Sequence, residues 1–135
     1  MSHAESPTLT KNEDIVLKAL KKAARPLSAY QIMERTTPKG VRAPQQIYRA
    51  LQGLVEHRLI HRIETINAYL ACDHAPHDHQ AAFTVCTDCG RVEEVPLGKA
   101  IGGLTRAVTS TGFAVRATHV ELSGLCPACQ AKTRG

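Results

Sequence analysis

Four of the five cysteines in this chain form two Cys-x-x-Cys pairs, Cys86 with Cys89 and Cys126 with Cys129. Two such pairs are the usual ligand set of a closed, tetrahedral zinc site, because four thiolates fill the coordination shell of the ion. Gly90 follows the first pair and allows the chain to turn back there. The odd number of cysteines disfavours a disulfide framework. We therefore predict a structural zinc held by all four paired cysteines.

Two alternative roles for the second cysteine pair are weaker. A thioredoxin-like dithiol at Cys126 and Cys129 needs a strand before it and a helix after it, and six residues follow Cys129. A zinc nucleobase deaminase, or a related zinc hydrolase, would use His119 as a ligand and Glu121 to move protons. The four residues between Glu121 and Cys126 leave no room for the strand and helix of that site. We predict neither an enzyme nor a small-molecule substrate.

The fifth cysteine, Cys72, precedes a polar segment that holds three histidines. A hairpin ending at Cys72 would place His61 opposite Ala71 or Cys72, so an imidazole and a thiol come close together. A leftover cysteine is most often a small buried apolar residue, but these neighbours make a ligand set.

A carboxylate that follows the first cysteine pair in the chain can complete this second set of donors. The set then contains two nitrogens, one sulfur and one oxygen. Such a set suits Zn²⁺ better than Mn²⁺ or Mg²⁺. The predicted regulatory ligands are His61, Cys72, His79 and Glu94. His77 and His119 are candidate additional ligands, and we expect two zinc ions per monomer.

The first half of the chain must position some of these groups, and its pattern is helical. Apolar residues recur every three to four positions over residues 15–24. Ser28 is placed to cap a second helix, and Pro44 lies in the first turn of a third. Two strand-like runs, 59–64 and 68–72, then predict a hairpin. Three helices followed by a hairpin are typical of a winged helix-turn-helix domain.

The domain organisation follows from this pattern. We predict a DNA-binding winged helix over residues 1–72, a polar hinge over 73–80, and a dimerisation and metal-binding domain over 81–135. The last domain is expected to contain three strands, at 82–85, 91–95 and 113–122, and one helix at 99–111. The fold class is therefore α+β. A second copy of the chain would cover the exposed strand edges, which predicts a homodimer.

The net charge of +5 lies entirely in the first half. Residues 1–72 hold eleven Lys or Arg against six Asp or Glu, whereas residues 73–135 hold six of each. A basic module of this kind favours double-stranded DNA as a partner. On the third helix, Arg49 can address guanine, a glutamine can address adenine, and Tyr48 can contact a phosphate or a thymine methyl group. The candidate DNA contacts are Lys39, Arg42, Gln45, Gln46, Tyr48 and Arg49.

Length and composition exclude other classes of protein. A chain of 135 residues with five aromatic side chains is too small for a large enzyme scaffold. Apolar stretches are interrupted well before eighteen positions, and acidic residues interrupt residues 1–20, where a signal peptide needs an apolar core. We expect a cytoplasmic protein with no membrane contact.

A combination of motifs resembles the ferric uptake regulator family over about residues 10–130. The motifs are Val41-x-x-Pro44-x-x-Ile47-Tyr48-Arg49-Ala50-Leu51, His61-Arg62-Ile63-Glu64, Asn67-Ala68-Tyr69-Leu70-x-Cys72, His77-x-His79, Cys86-x-x-Cys89-Gly90 and Gly124-Leu125-Cys126-x-x-Cys129. Within the family, the chain looks most like the zinc-sensing branch.

The resemblance implies a bacterial homodimer that binds palindromic operators and represses zinc-uptake genes when zinc is plentiful. It maps a structural and a sensory zinc onto the two ligand sets given above. Many relatives have a further site with a histidine at the position of Thr118; here His119 lies one place on, which in a strand points to the other face. A regulator responding to iron, manganese or peroxide is the alternative, and the thiol of Cys72 argues against it.

Overall fold

The computed structural model describes residues 8–72, 81–116 and 118–134. The chain divides into two compact units, residues 1–77 and 78–135. The first unit contains α1 (Lys11–Ala23), α2 (Ala29–Thr36), α3 (Pro44–Glu56), β1 (Ile60–Ile63) and β2 (Ala68–Ala71). The second contains β3 (Ala81–Cys86), β4 (Val92–Pro96), α4 (Lys99–Thr109), β5 (Val120–Gly124) and α5 (Pro127–Arg134). Within the described ranges, every helix is too short or too polar to cross a lipid bilayer.

Reciprocal caps fix where the first two helices begin. The hydroxyl of Thr10 accepts a hydrogen bond from the amide of Glu13, and the Glu13 carboxylate accepts one from the amide of Thr10. Ser28 and Gln31 repeat the arrangement at α2. The start of α2 agrees with the sequence-based prediction. Helix α1 begins four residues before the predicted Ile15, because the cap at Thr10 recruits a polar first turn that apolar periodicity does not reveal.

The core of the first unit is made by the three helices and one face of the hairpin. Its most buried side chains come from all of these elements and include Val16, Leu20, Leu27, Ile32, Ile47, Leu51, Leu54, Ile60 and Tyr69. The backbones of Leu27 and Tyr69 also exchange two hydrogen bonds, of 2.9 and 2.8 Å. The segment between α1 and α2 is therefore attached to the hairpin, and together they hold α3 with its outer face exposed.

The hairpin register differs by one residue from the sequence-based expectation. His61 lies opposite Leu70, not opposite Ala71 or Cys72. The reason is the connection between the strands, a 3-10 turn over Glu64–Ile66 that ends at Asn67 in the left-handed conformation. This turn centres the hairpin between Thr65 and Ile66, half a residue before the centre at Ile66 that the expected pairing requires. Directly paired residues share a face of the ladder, so His61 shares a face with Leu70.

The second unit is built on a three-stranded sheet in the order β4-β3-β5. Strand β3 pairs antiparallel with β4 and parallel with β5. The predicted strand over 113–122 is wrong in extent: β5 begins at Val120, where its ladder with β3 begins at Ala82. Phe113 lies outside any strand and is 63% exposed. Residues before Val120 have no place in this ladder, so their apolar composition did not make them a strand.

Candidate metal centres and nucleic-acid surface

The four paired cysteines meet at one end of the sheet in the second unit. Cys86 is the last residue of β3, and its ladder partner is Gly124 at the end of the parallel strand β5. Because neighbouring parallel strands run in the same direction, β3 and β5 finish at the same end of the sheet. The segments that follow them therefore leave the sheet side by side. All four sulfur atoms lie within 4.8 Å of one another. The prediction that these cysteines form one cluster is confirmed.

The cluster has the dimensions of a zinc-thiolate site. The Sγ atoms of Cys89 and Cys126 are 3.8 Å apart. A zinc–sulfur bond of about 2.3 Å gives a tetrahedron whose sulfurs are about 3.8 Å apart, so this pair has the spacing of two ligands of one zinc ion. Sulfur ligands in a tetrahedron are also the donor set that selects zinc or iron–sulfur centres over hard cations.

Backbone amides make Cys86 the most acidic thiol of the cluster. The amides of Cys89 and Cys126 donate to Cys86 Sγ at 3.5 and 3.4 Å. These two hydrogen bonds stabilise the thiolate and lower the pKa of Cys86 to about 6. A hydrogen bond from the Cys129 amide lowers the pKa of Cys126, whereas burial raises the pKa of Cys129. A dication would supply the positive charge that lets all four ionise together.

The expectation that Cys126 and Cys129 lack a flanking strand and helix is wrong. Strand β5 precedes Cys126, and helix α5 begins at Pro127 and contains Cys129, so a strand and a helix do flank the pair. What disfavours a free dithiol is its surroundings. Cys89 and Cys86 lie in the same cluster, so the pair is half of a four-sulfur site.

Two of the predicted regulatory ligands share one face of the hairpin. The amide of Cys72 donates to the carbonyl of Leu59 at 2.9 Å and so continues the β1–β2 ladder beyond Ala71. Alternation then places Cys72 on the same side as Leu70 and therefore as His61. Nε2 of His61 is buried. This face is opposite to the one whose Ile60 packs into the helical core.

The other predicted ligands lie in the second unit or outside the described residues. Glu94 lies in β4 of the second unit, opposite Phe83 and exposed. His77 and His79, with the hinge predicted over 73–80, lie outside the described residues. Thr118 and His119 are both exposed and precede β5.

The outer face of α3 carries the candidate DNA contacts. Tyr48 is 56% exposed. Arg49 and Gln45 are also exposed, as are Lys39 and Arg42 before the helix. Gln46 also caps the helix, a role that was not predicted from the sequence: its Oε1 accepts hydrogen bonds from the amides of Arg42 and Ala43, at 3.1 and 3.0 Å. A glutamine three residues after a helix N-cap is the signal that could have revealed it.

Comparisons with known proteins agree with this architecture. The zinc uptake regulation proteins of Escherichia coli (strain K12) and Shigella flexneri are each 31% identical to the chain over 105 residues. The match covers 76% of this chain and 61% of those proteins, so the chain spans less than two thirds of the length of these curated relatives.

Two solved structures cover almost the whole chain. A zinc uptake regulator complexed with zinc and DNA is 28% identical, with a TM-score of 0.85, and the alignment covers 95% of this chain and 87% of that one. Holo XcZur is 29% identical, with a TM-score of 0.83 and coverages of 94% and 89%. A model of the ferric uptake regulator family matches residues 7–123. The chain belongs to the ferric uptake regulator family.

Proposed function

We propose that this chain is a zinc-responsive transcriptional repressor that binds palindromic operators of zinc-uptake genes in the cytoplasm when it is loaded with zinc. Its similarity to a zinc uptake regulator complexed with zinc and DNA supports this function. The family it belongs to consists of regulators, and we propose no catalytic activity for it.

The observation that carries the proposal is the position of His61 and Cys72 on the hairpin of the first unit. They share the face opposite to the one that packs into the helical core, and α3 contributes to that core with Tyr48 on its exposed side. A ligand pair and a DNA-reading surface thus belong to the same compact unit. We propose that His79 and Glu94 complete the ligand set.

Zinc at this site would be coupled to DNA binding through the position of the first unit. Glu94 lies in the second unit, so a shared ion would link the two units of the chain. A ligand that binds one arrangement of the units better than another shifts the population toward it. We propose that the zinc-bound arrangement is the one that binds the operator.

We further propose that the second unit forms a homodimer. Strand β5 lies at one edge of the sheet, and the unit exposes several large apolar side chains. These are Val95, Leu104, Phe113, Leu122 and Leu125. An apolar face beside a sheet edge is the kind of surface that a second copy covers. Two copies of α3 would then read two half-sites, which requires a palindromic operator.

The experiment that tests this function selects DNA from a random pool with the purified chain, once with excess zinc and once after chelation. We expect an enriched palindromic sequence with zinc and none after chelation. Enrichment that is equal in both conditions, or absent from both, would overturn the proposal.

Zinc content provides a second test. Elemental analysis before and after mild chelation should give two zinc ions per monomer falling to one, because the closed four-sulfur site is expected to hold its ion more tightly. A content of one that chelation does not change would contradict the regulatory site.

A further inference from the structure

Arg62 on the hairpin is held by two acceptors from the turn that follows it. Its Nε lies 3.4 Å from Oε2 of Glu64, and one of its terminal nitrogens donates to Oδ1 of Asn67 at 3.2 Å. Asn67 has φ +48°, the left-handed conformation that closes the 3-10 turn and turns its side chain back toward β1. The guanidinium is therefore fixed in position although the side chain is about half exposed.

Strand β1, which carries Arg62, packs against α3. Arg62 is paired with Tyr69 across the ladder, and Tyr69 packs into the helical core. The pKa of Tyr69 is raised by burial, lowered by the positive charge of Arg62, and raised by Tyr48 and Glu64. Two hairpin charges and Tyr48 of α3 thus act on one phenol. Arg62 and the exposed Tyr48 therefore lie on elements of the first unit that pack against each other.

The chemistry of the pair fits a polyanion. A guanidinium offers a planar fork of donors that matches a phosphate, and an exposed ion pair is weak enough for a phosphate oxygen to replace the carboxylate. Phosphate contacts position a protein on DNA and account for much of its affinity. Glu64 would then face the incoming phosphate with a like charge.

We propose that Arg62 is an additional contact to the DNA backbone and that Glu64 is an internal competitor that limits the affinity of this contact. The inference rests on the proposed function, since it concerns the same DNA-binding surface. It differs from the candidate contacts on α3 in adding affinity without reading bases. Its effects are therefore equal on an operator and on a scrambled duplex.

The chain offers a matched control pair in its second unit. Arg91 and Glu93 are also two residues apart, with the Arg91 terminal nitrogen 2.9 Å from Oε2 of Glu93. The side chains are 53% and 52% exposed, against 49% and 57% for Arg62 and Glu64. Substitutions in this pair change net charge by the same amount in the other unit.

The experiment titrates zinc-loaded wild type, Arg62→Ala, Arg62→Lys, Glu64→Gln, Arg91→Ala and Glu93→Gln against the duplex selected by the wild type and a scrambled duplex, over a series of salt concentrations. For Arg62→Ala the salt slope should fall by about one on both duplexes. Raising the salt from about 50 to 200 mM should therefore weaken DNA binding by this variant by a factor that is about three- to fourfold smaller than the factor for wild type. Arg62→Lys should keep the slope, Glu64→Gln should bind both duplexes more tightly, and the Arg91 and Glu93 variants should match wild type.

The outcomes separate the two proposals. If wild type binds the selected duplex in a zinc-dependent way and Arg62→Ala keeps its salt slope, the contact is refuted and the proposed function stands. If Arg91→Ala lowers the slope as much as Arg62→Ala does, the effect is one of net charge, which also refutes the contact. If wild type binds neither duplex, the proposed function itself fails, and this inference fails with it.

Discussion

The sulfur atoms of Cys89 and Cys126 lie 3.8 Å apart although 37 positions separate these residues in the chain. Parallel pairing of β3 with β5 produces this proximity, because Cys86 at the end of β3 is in register with Gly124, two residues before Cys126. The cluster therefore connects the segments that follow the central strand β3 and the edge strand β5. Its zinc would act as a structural crosslink.

The substitution Cys86→Ser should unfold the second unit. The Cys86 sulfur accepts two backbone hydrogen bonds, one from each knuckle, and the binding energy of a structural zinc is largely folding energy. We expect the variant to bind no zinc at the cluster and to lose the cooperative thermal transition of this unit. Ser123→Ala, an exposed change in the adjacent strand, is the control and should leave both unchanged. A melt of Cys86→Ser that matches wild type would refute the structural role.

Gly53→Ala should destabilise the first unit even though alanine is the better helix former. A methyl group at Gly53 of α3 would run into the carboxylate of Glu13, which caps α1 through Thr10. The lost cap can cost up to about 2 kcal/mol and the propensity gain is at most about 1 kcal/mol, so we expect a net cost of up to about 1 kcal/mol in urea melts.

Gly103→Ala in α4 is the matched substitution, since nothing lies near its added methyl group. It should stabilise its helix by about 0.5–1 kcal/mol. In a Glu13→Ala background, Gly53→Ala should also become stabilising. If it stays destabilising there, the clash with Glu13 is not the cause.

Gln45→Ala and Gln46→Ala should separate DNA binding from helix capping. Gln45 is exposed, whereas Gln46 holds the amides of Arg42 and Ala43. We expect Gln46→Ala to lower stability by about 1 kcal/mol. Gln45→Ala should leave the melt unchanged and weaken operator binding by about tenfold at adenine-containing sites. The reverse pattern, measured by melts and gel shifts, would show that the two roles are wrongly assigned.

Leu122→Glu should convert the dimer to a monomer. Leu122 is 55% exposed on β5, the edge strand, so a charge there costs the isolated chain little but would be buried unpaired in a dimer. Light scattering should show a dissociation constant raised by about 100-fold or more. Tyr30→Glu, at a 66% exposed position of α2 in the other unit, is the control. An unchanged dimer in Leu122→Glu would place the interface elsewhere.

Local sequence signals predicted much of this fold. Ser28 and Pro44 marked the starts of α2 and α3, and the two cysteine pairs identified the zinc cluster, because capping and ligand spacing act within a few residues. The hairpin register was off by one, since a 3-10 turn cannot be distinguished from other short turns by composition. This register decides where the two predicted ligands lie. Pairing of His61 with Leu70 puts His61 and Cys72 on one face of the hairpin, whereas pairing with Ala71 would have put them on opposite faces.

Long-range contacts explain what the sequence did not reveal. The apolar residues after Gly112 suggested a strand, but the ladder with β3 decides that β5 begins at Val120. Leu104 of α4 is 53% exposed, as a residue of the proposed dimer interface would be in a single copy of the chain. The proposed regulatory ligands come from separate segments of the chain, and local pattern alone does not show whether they meet.

The most direct test of the central claim is a zinc titration of operator binding by wild type and Cys72→Ser, with zinc content measured on the same samples. We expect Cys72→Ser to remain a folded dimer with its cluster zinc. The free zinc needed for half-maximal DNA binding should rise by more than about 100-fold. Removing a residue that only hydrogen-bonds to a metal ligand already lowers metal affinity by about 10- to 100-fold, and removing the ligand itself should lower it further. An unchanged zinc midpoint in this variant would contradict the assignment of Cys72 as the zinc sensor.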